Sequence, residues 1–223
     1  MFGDGTLPAD LPGPHAGRPV VTAGAPRGAA RAAVVALHGR GATAQGVINL
    51  LDPLARHGVA FVAPAADRGR WYPYAGDEPR ERNESHLESA LAVVDSLLTE
   101  TRTTLSLPPE AVVLVGFSQG ASVAAEYAVD RGGAHPLAVL SGSLLGPTVD
   151  AEGLTGDLAG TPALVAGGAA DDRVPPDRVR ATAAVLGALG ADVTERLYDG
   201  VGHEVTADEF AWLNRLLADL VDG

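Results

Sequence analysis

The stretch Leu114-Val115-Gly116-Phe117-Ser118-Gln119-Gly120 restricts what this chain can become more than any other. Ala111 to Val115 is a short apolar run rich in β-branched residues, long enough for a buried parallel strand and too short for a helix. From Ser118 to Asp130, Ala121, Ala124, Ala125 and Ala128 recur at helical spacing. Between strand and helix stands G-x-S-x-G, a nucleophile elbow, in which a sharp turn holds the serine hydroxyl clear of the sheet. Such a turn strains the serine backbone and crowds its neighbours, so Gly116 and Gly120 stand where a Cβ would clash. The pentapeptide alone is a weak signal, since 28 Gly and 8 Ser among 223 residues produce about 0.12 matches by chance. The flanking strand and helix are the context that makes Ser118 the candidate nucleophile.

Strand and helix signals alternate along the chain. Ala32 to Leu37 reads as a buried strand ending in His38-Gly39-Arg40-Gly41, with a helix from Thr43 to Arg56 after it. Val59 to Ala63 is the next strand. Pro64 to Arg82 is irregular and holds Trp71, Tyr72 and Tyr74. A helix begins near Asn83, where Ser85 and Glu88 suggest a capping box, and its stripe is Leu87, Leu91, Val94 and Leu98. After the elbow come a strand at Leu137 to Leu140, an irregular Ser141 to Thr161, and a strand at Pro162 to Ala166. A helix opens at Pro175 or Pro176 and runs to about Leu189. Val193 to Tyr198 alternates like an edge strand, and Thr206 with Glu209 caps a last helix. Pro19 to Ala23 is a candidate first edge strand.

This alternation predicts an α/β architecture: a mostly parallel sheet with helices on both faces and right-handed crossovers. Ligands then bind beyond the carboxyl ends of the strands. No linker, charge block or internal repeat divides residues 18–223, which are expected to form a single domain. Residues 1–17, rich in Gly and Pro, are expected to be a flexible, loosely held arm.

The absence of cysteine excludes disulfides, thiolate metal sites and a cysteine nucleophile. All 16 basic residues are Arg, so no lysine is present for Schiff-base chemistry. A net charge of −12 disfavours nucleic acid and anionic membranes as partners. The N-terminus lacks the pattern of a secretory signal, and no apolar run approaches the 18 or so residues of a membrane span, so no membrane insertion is expected. A cytoplasmic location is the expectation.

A serine nucleophile needs a base, and the base needs a carboxylate. Of the six histidines, His15 lies in the arm, while His57 and His135 precede strands and so fall at the wrong end of the sheet. His38 and His86 lie on the right side, but His38 ends the central strand in a turn. With a nucleophile elbow the order is Ser, acid, His, and His203 alone follows Ser118 at the correct edge, in Tyr198-Asp199-Gly200-Val201-Gly202-His203. The acid should follow an intervening strand, where Asp171 and Asp172 stand side by side, and this spacing does not rank them. Two backbone N–H groups, of Gln119 and of Arg40, are placed to receive the oxyanion of acyl transfer. Trp71, Tyr72 and Tyr74 either line the substrate pocket or pack their loop. His86, beside Glu84, either faces the pocket or helps begin its helix.

Taken together, Leu37-His38-Gly39-x-Gly41, Gly116-Phe117-Ser118-Gln119-Gly120, Asp171 with Val174-Pro175, and Tyr198-x-Gly200-x-Gly202-His203 resemble one family. It is the phospholipase/carboxylesterase branch of the α/β-hydrolases, which includes acyl-protein thioesterases, and the resemblance covers about residues 32 to 218. It implies an α/β-hydrolase fold without a cap domain. In the family the acid stands four residues before the proline of the Val-Pro pair, which implies Asp171. Trp71-Tyr72-Pro73-Tyr74 and the segment from Arg80 to Leu87 are similar to a bacterial subgroup of small esterases.

The expected activity is cleavage of a small-molecule carboxylic ester or thioester through an acyl-enzyme, with no metal and no cofactor. Ser118, Asp171 and His203 are its catalytic residues, Arg40 and Gln119 its oxyanion donors, and Trp71, Tyr72, Tyr74 and His86 its substrate-binding candidates. A homodimer is left open. The rivals are the same triad turned to non-hydrolytic acyl transfer or acid–base chemistry in a biosynthetic pathway, and a binding protein on a hydrolase fold.

Overall fold

The computed structural model describes residues 5–149 and 154–223. Strands β1 (Val20–Gly24), β2 (Ala32–Leu37), β3 (Val59–Pro64), β4 (Val112–Phe117), β5 (Leu137–Leu140), β6 (Pro162–Gly168) and β7 (Asp192–Tyr198) form one sheet, ordered β1-β3-β2-β4-β5-β6-β7. β1 runs antiparallel to β3 at one edge, and every other pairing is parallel. The central strands β2, β3 and β5 are buried at every residue, as their unbroken apolar runs require when helices cover both faces. β7, at the far edge, keeps Asp192 and Glu195 in solvent.

The alternation along β2 divides the core. Ala33, Val35 and Leu37 point to the side covered by α2 (Glu84–Leu105), α3 (Gln119–Arg131) and α4 (Pro176–Ala188). Ala32, Val34 and Ala36 point to the side covered by α1 (Ala44–Leu50) and α5 (Ala207–Asp222), where Leu213 and Leu217 are fully buried. The chain is thus an α/β-hydrolase fold whose elbow lies at the carboxyl end of the central strand β4.

Two helix expectations are corrected. The first helix stops at Leu50 and gives way to a 3-10 turn at Asp52–Leu54, because Pro53 lacks an N–H and disfavours helical geometry before it. The second begins at Glu84, which puts Ser85 inside the first turn and leaves no Ser85–Glu88 capping box. Asn83 precedes it, with a side chain that holds the loop instead: Oδ1 accepts from the Tyr74 N–H at 3.0 Å. At α5 the capping box of Thr206 and Glu209 is present as expected.

The described part of the N-terminal arm is packed rather than loose. Leu7 is in the core, and the Leu7 N–H donates to the Arg18 carbonyl at 2.8 Å. His15 is fully buried, its Nδ1 accepting the Asp67 N–H and its Nε2 donating to the Trp71 carbonyl, each at 3.0 Å. Arg18 forms an ion pair with Asp67. Gly and Pro in this segment shape a path across the surface; long-range partners hold it there. Residues 1–4, and residues 150–153 of the Ser141 to Thr161 excursion, lie outside the described residues. Among the described residues no helix is long and apolar enough to cross a membrane.

Candidate active site

β4 passes into α3 through Ser118, whose backbone sits at φ 56° and ψ −121°. An L-residue in this region costs of order 1–3 kcal/mol and persists only where its surroundings over-determine it. Here the Ser118 N–H donates to the Leu140 carbonyl of β5 at 2.9 Å. A Cβ on Gly116 would lie 2.3 Å from the Gly120 carbonyl oxygen, and one on Gly120 would lie 2.2 Å from that of Leu37. The elbow is sharp because both positions lack a side chain.

His203 arrives from the loop after β7. That loop lies against the end of β6 so closely that a Cβ on Gly168 would meet the Val201 oxygen at 2.1 Å, and the Ala170 N–H donates to the same carbonyl. The result is a continuous line: His203 Nε2 is 2.8 Å from Ser118 Oγ, and His203 Nδ1 is 2.7 Å from Asp171 Oδ2. The other oxygen of Asp171 accepts the N–H groups of Arg173 at 2.8 Å and Val174 at 3.1 Å. The carboxylate is therefore aimed from both ends. Asp172 is exposed, and its carboxylate has no partner among the described residues.

Arg40, in the loop after β2, and Gln119, the first residue of α3, keep backbone N–H groups with no acceptor among the described residues. Their side chains share a task that the motifs did not reveal. The Arg40 guanidinium donates to the carbonyls of Tyr72, Pro73 and Tyr74 at 3.1, 3.0 and 2.9 Å. Gln119 Oε1 accepts the Trp71 N–H and its Nε2 donates to the Tyr72 carbonyl, both at 2.8 Å. Both residues thus clamp the irregular segment between β3 and α2 against the elbow.

Of the aromatic residues in that segment, only Tyr72 lines the cleft beside Ser118. Burial pushes its phenol up to about 12, so it acts there as a neutral hydroxyl. Trp71 is fully buried beneath, its indole N–H donating to the His38 carbonyl at 2.8 Å. Tyr74 is exposed and lies under the Arg82 guanidinium. His86 is half-buried beside His15, with ring centroids 6.4 Å apart, away from the cleft. His38 supports the loop: Nδ1 donates to the Gly39 carbonyl at 2.8 Å and Nε2 accepts the Ala66 N–H at 3.1 Å, while burial lowers its basicity.

The cleft has a volume of about 370 Å³, within the range of small-molecule sites. Ser122, Ser143, Arg173 and Arg178 also line it. None of these carries a motif; they converge from α3, the loops after β5 and β6, and the first turn of α4, so no spacing in the sequence marks them. Among the described residues no group of three or more His, Asp or Glu side chains is placed to hold a metal ion.

The sequence profile of the phospholipase/carboxylesterase family matches residues 19–220. No curated protein matches the chain significantly. Among solved structures, a phospholipase/carboxylesterase from Dyadobacter fermentans is 32% identical, covers 94% of this chain and 100% of its own, and superposes with a TM-score of 0.82. The esterase PE8 is 26% identical over 91% of this chain and 98% of its own, with a TM-score of 0.75. A carboxylesterase from Mesorhizobium loti is 25% identical over 95% of this chain and 97% of its own, with a TM-score of 0.72. With the elbow, the sheet order and a profile match over nearly its whole length, this chain belongs to the phospholipase/carboxylesterase family of α/β-hydrolases and is an esterase-type hydrolase.

Proposed function

We infer that the protein is a serine hydrolase that cleaves a small carboxylic ester or thioester through an acyl-enzyme. The observation that carries this reading is the unbroken hydrogen-bonded line from Ser118 Oγ through His203 to Asp171, at 2.8 and 2.7 Å. His203 Nε2 takes the Oγ proton as Ser118 attacks the carbonyl carbon, and Asp171 holds the Nδ1–H and stabilises the imidazolium. Negative charge moves onto the carbonyl oxygen, where the N–H groups of Arg40 and Gln119 are free to donate; one such donor is worth about 10²–10³ in rate. The tetrahedral intermediate collapses, the C–O or C–S bond breaks, and the leaving alcohol or thiol takes its proton from His203. Water then attacks the acyl-serine with His203 again as base, releasing the acid and restoring the Ser118 hydroxyl.

The test combines a fluorophosphonate probe with p-nitrophenyl esters. Labelling at Ser118 by peptide mass, a p-nitrophenolate burst, and loss of turnover by about 10⁴-fold or more in Ser118→Ala are expected. An alanine variant with wild-type turnover would show that another nucleophile operates. Product analysis with an added alcohol distinguishes hydrolysis from transfer.

A further inference from the structure

The cleft beside Ser118 is lined by positive charge in a protein whose net charge is −12. Arg40, Arg173 and Arg178 all line it, and Asp77 is the single carboxylate among its described residues. None of these three guanidiniums forms an ion pair among the described residues. Arg40 is committed to three backbone carbonyls of the neighbouring segment. Arg178 differs. It is half-buried in the first turn of α4, and every acceptor that holds it among the described residues is neutral: the Ser143 hydroxyl to its Nε at 3.2 Å, and the carbonyls of Leu144 at 2.6 Å and Gly76 at 3.5 Å to one terminal nitrogen. Its other terminal nitrogen has no acceptor among the described residues. Arg173 stands exposed at the rim, its side chain without a partner among the described residues. A guanidinium fixed by neutral oxygens, with no ion-pair partner among the described residues and a terminal nitrogen to spare, is preorganised for an anion.

The direction of the substrate follows from the same lining. Ser118, Arg40 and Gln119 border this cleft, whereas His203 does not. The leaving group must reach His203 Nε2 for its proton, so the alcohol or thiol lies on the histidine side and the acyl chain enters the arginine-lined cleft. Resting on the serine-hydrolase reading above, we propose that the preferred substrate carries a carboxylate on its acyl part: it is a half-ester or half-thioester of a dicarboxylic acid, whose free carboxylate pairs with Arg178 and is assisted at the rim by Arg173. Tyr72, Ser122 and Ser143 supply hydroxyls along the way.

The test compares mono-p-nitrophenyl esters of glutaric, adipic and pimelic acids with p-nitrophenyl esters of the neutral acyl chains of equal length. For the best-fitting chain, the acidic ester should have a kcat/KM about tenfold or more above its neutral counterpart at low salt, and this ratio should fall as salt is raised. Arg178→Gln should cut the ratio about tenfold and Arg178→Lys should retain most of it. Should Arg178→Gln fail to fold, Arg173→Gln, which removes an exposed side chain, should still lower the ratio severalfold. Independently of catalysis, adipate should bind the Ser118→Ala protein in calorimetry at low salt and lose that binding with Arg178→Gln. Equal or better turnover of neutral esters, with no adipate binding, overturns the proposal while leaving the serine-hydrolase reading intact. Adipate binding without cleavage of any ester, and without labelling of Ser118, supports the anion site and overturns the hydrolase reading.

Discussion

Gln119 holds the backbone of Trp71 through its side chain: Oε1 accepts the Trp71 N–H at 2.8 Å, in a site where both residues are buried. The residue that follows Ser118 therefore carries two loads. Its backbone N–H has no acceptor among the described residues, and its amide fixes the segment that brings Tyr72 to the cleft wall. Gln119→Ala keeps the first and loses the second, leaving the Trp71 N–H buried and unpaired. We expect a loss of about 1–3 kcal/mol in urea unfolding, with kcat/KM reduced through a higher KM. An alanine variant as stable as the parent would mean that water or another group takes the amide's place.

Asp171 and Asp172 are adjacent in sequence and unlike in environment. Asp171→Asn should lower kcat/KM on an activated ester by about 10⁴-fold, because the amide presents the wrong partner to the His203 Nδ1–H. Asp172→Asn should stay within about tenfold, a window of 1.4 kcal/mol. The reverse ranking would move the acid by one residue and contradict the 2.7 Å contact with His203.

Gly120 stands against the Leu37 carbonyl, where a Cβ would lie 2.2 Å from the oxygen. Both sides of this contact are backbone, Gly120 in the first turn of α3 and Leu37 at the carboxyl end of β2, so neither can give way cheaply. Gly120→Ala should cost about 3 kcal/mol or more, or prevent folding altogether, as judged by circular dichroism and denaturant melts. Gly200→Ala is the useful contrast in space, since nothing lies within 4 Å of a Cβ there, although its φ of 72° still penalises a side chain. The smaller loss is expected at Gly200.

His15 gives the fold a dependence on acid. Burial, followed by the nearby His86 and Arg18 charges, lowers its pKa from 6.5 to about 4, opposed by the bond to the Trp71 carbonyl. Asp67, which donates its N–H to the ring and pairs with Arg18, is also packed against it. The unfolded chain therefore binds a proton that the folded chain refuses as pH falls from 6.5 to 4. Stability from this group is complete above pH 6.5, declines through that window by roughly 3 kcal/mol, and is level below it. His15→Gln should be less stable than the parent at pH 7 and lose less between pH 6.5 and 4. Parallel stability curves from urea titrations across this range would remove His15 from the account.

The elbow was legible in the sequence because its requirements are local. A strand, a turn and a helix adjoin in the chain, and the glycines flanking Ser118 are dictated by contacts that any such turn must make. The histidine and the aspartate pair were legible for a related reason: chain order and strand ends limit which residues can reach the elbow in a parallel sheet. The N-terminal cap of α5 and the edge position of β7 followed from spacing and alternation in the same way. The choice between Asp171 and Asp172 rested on likeness to a family, and its physical basis, two N–H groups on one carboxylate oxygen and His203 on the other, exists only in the folded loop.

Elsewhere the decision belonged to tertiary structure. Whether Trp71 or Tyr72 reaches the cleft depends on the hydrogen bonds that Arg40 and Gln119, at the ends of two paired strands, make to that segment. Glycine and proline marked residues 5–17 as irregular, yet His15 is anchored by Asp67 and Trp71, more than fifty positions along the chain. Arg178 reads in sequence as a polar residue near a helix start, and becomes a wall of the cleft through Ser143 and Leu144 of a different segment. Sequence periodicity constrains the backbone of regular elements and the faces they bury. Side chains in irregular segments take their direction from hydrogen-bond partners distant in the chain, which only the completed fold brings within reach.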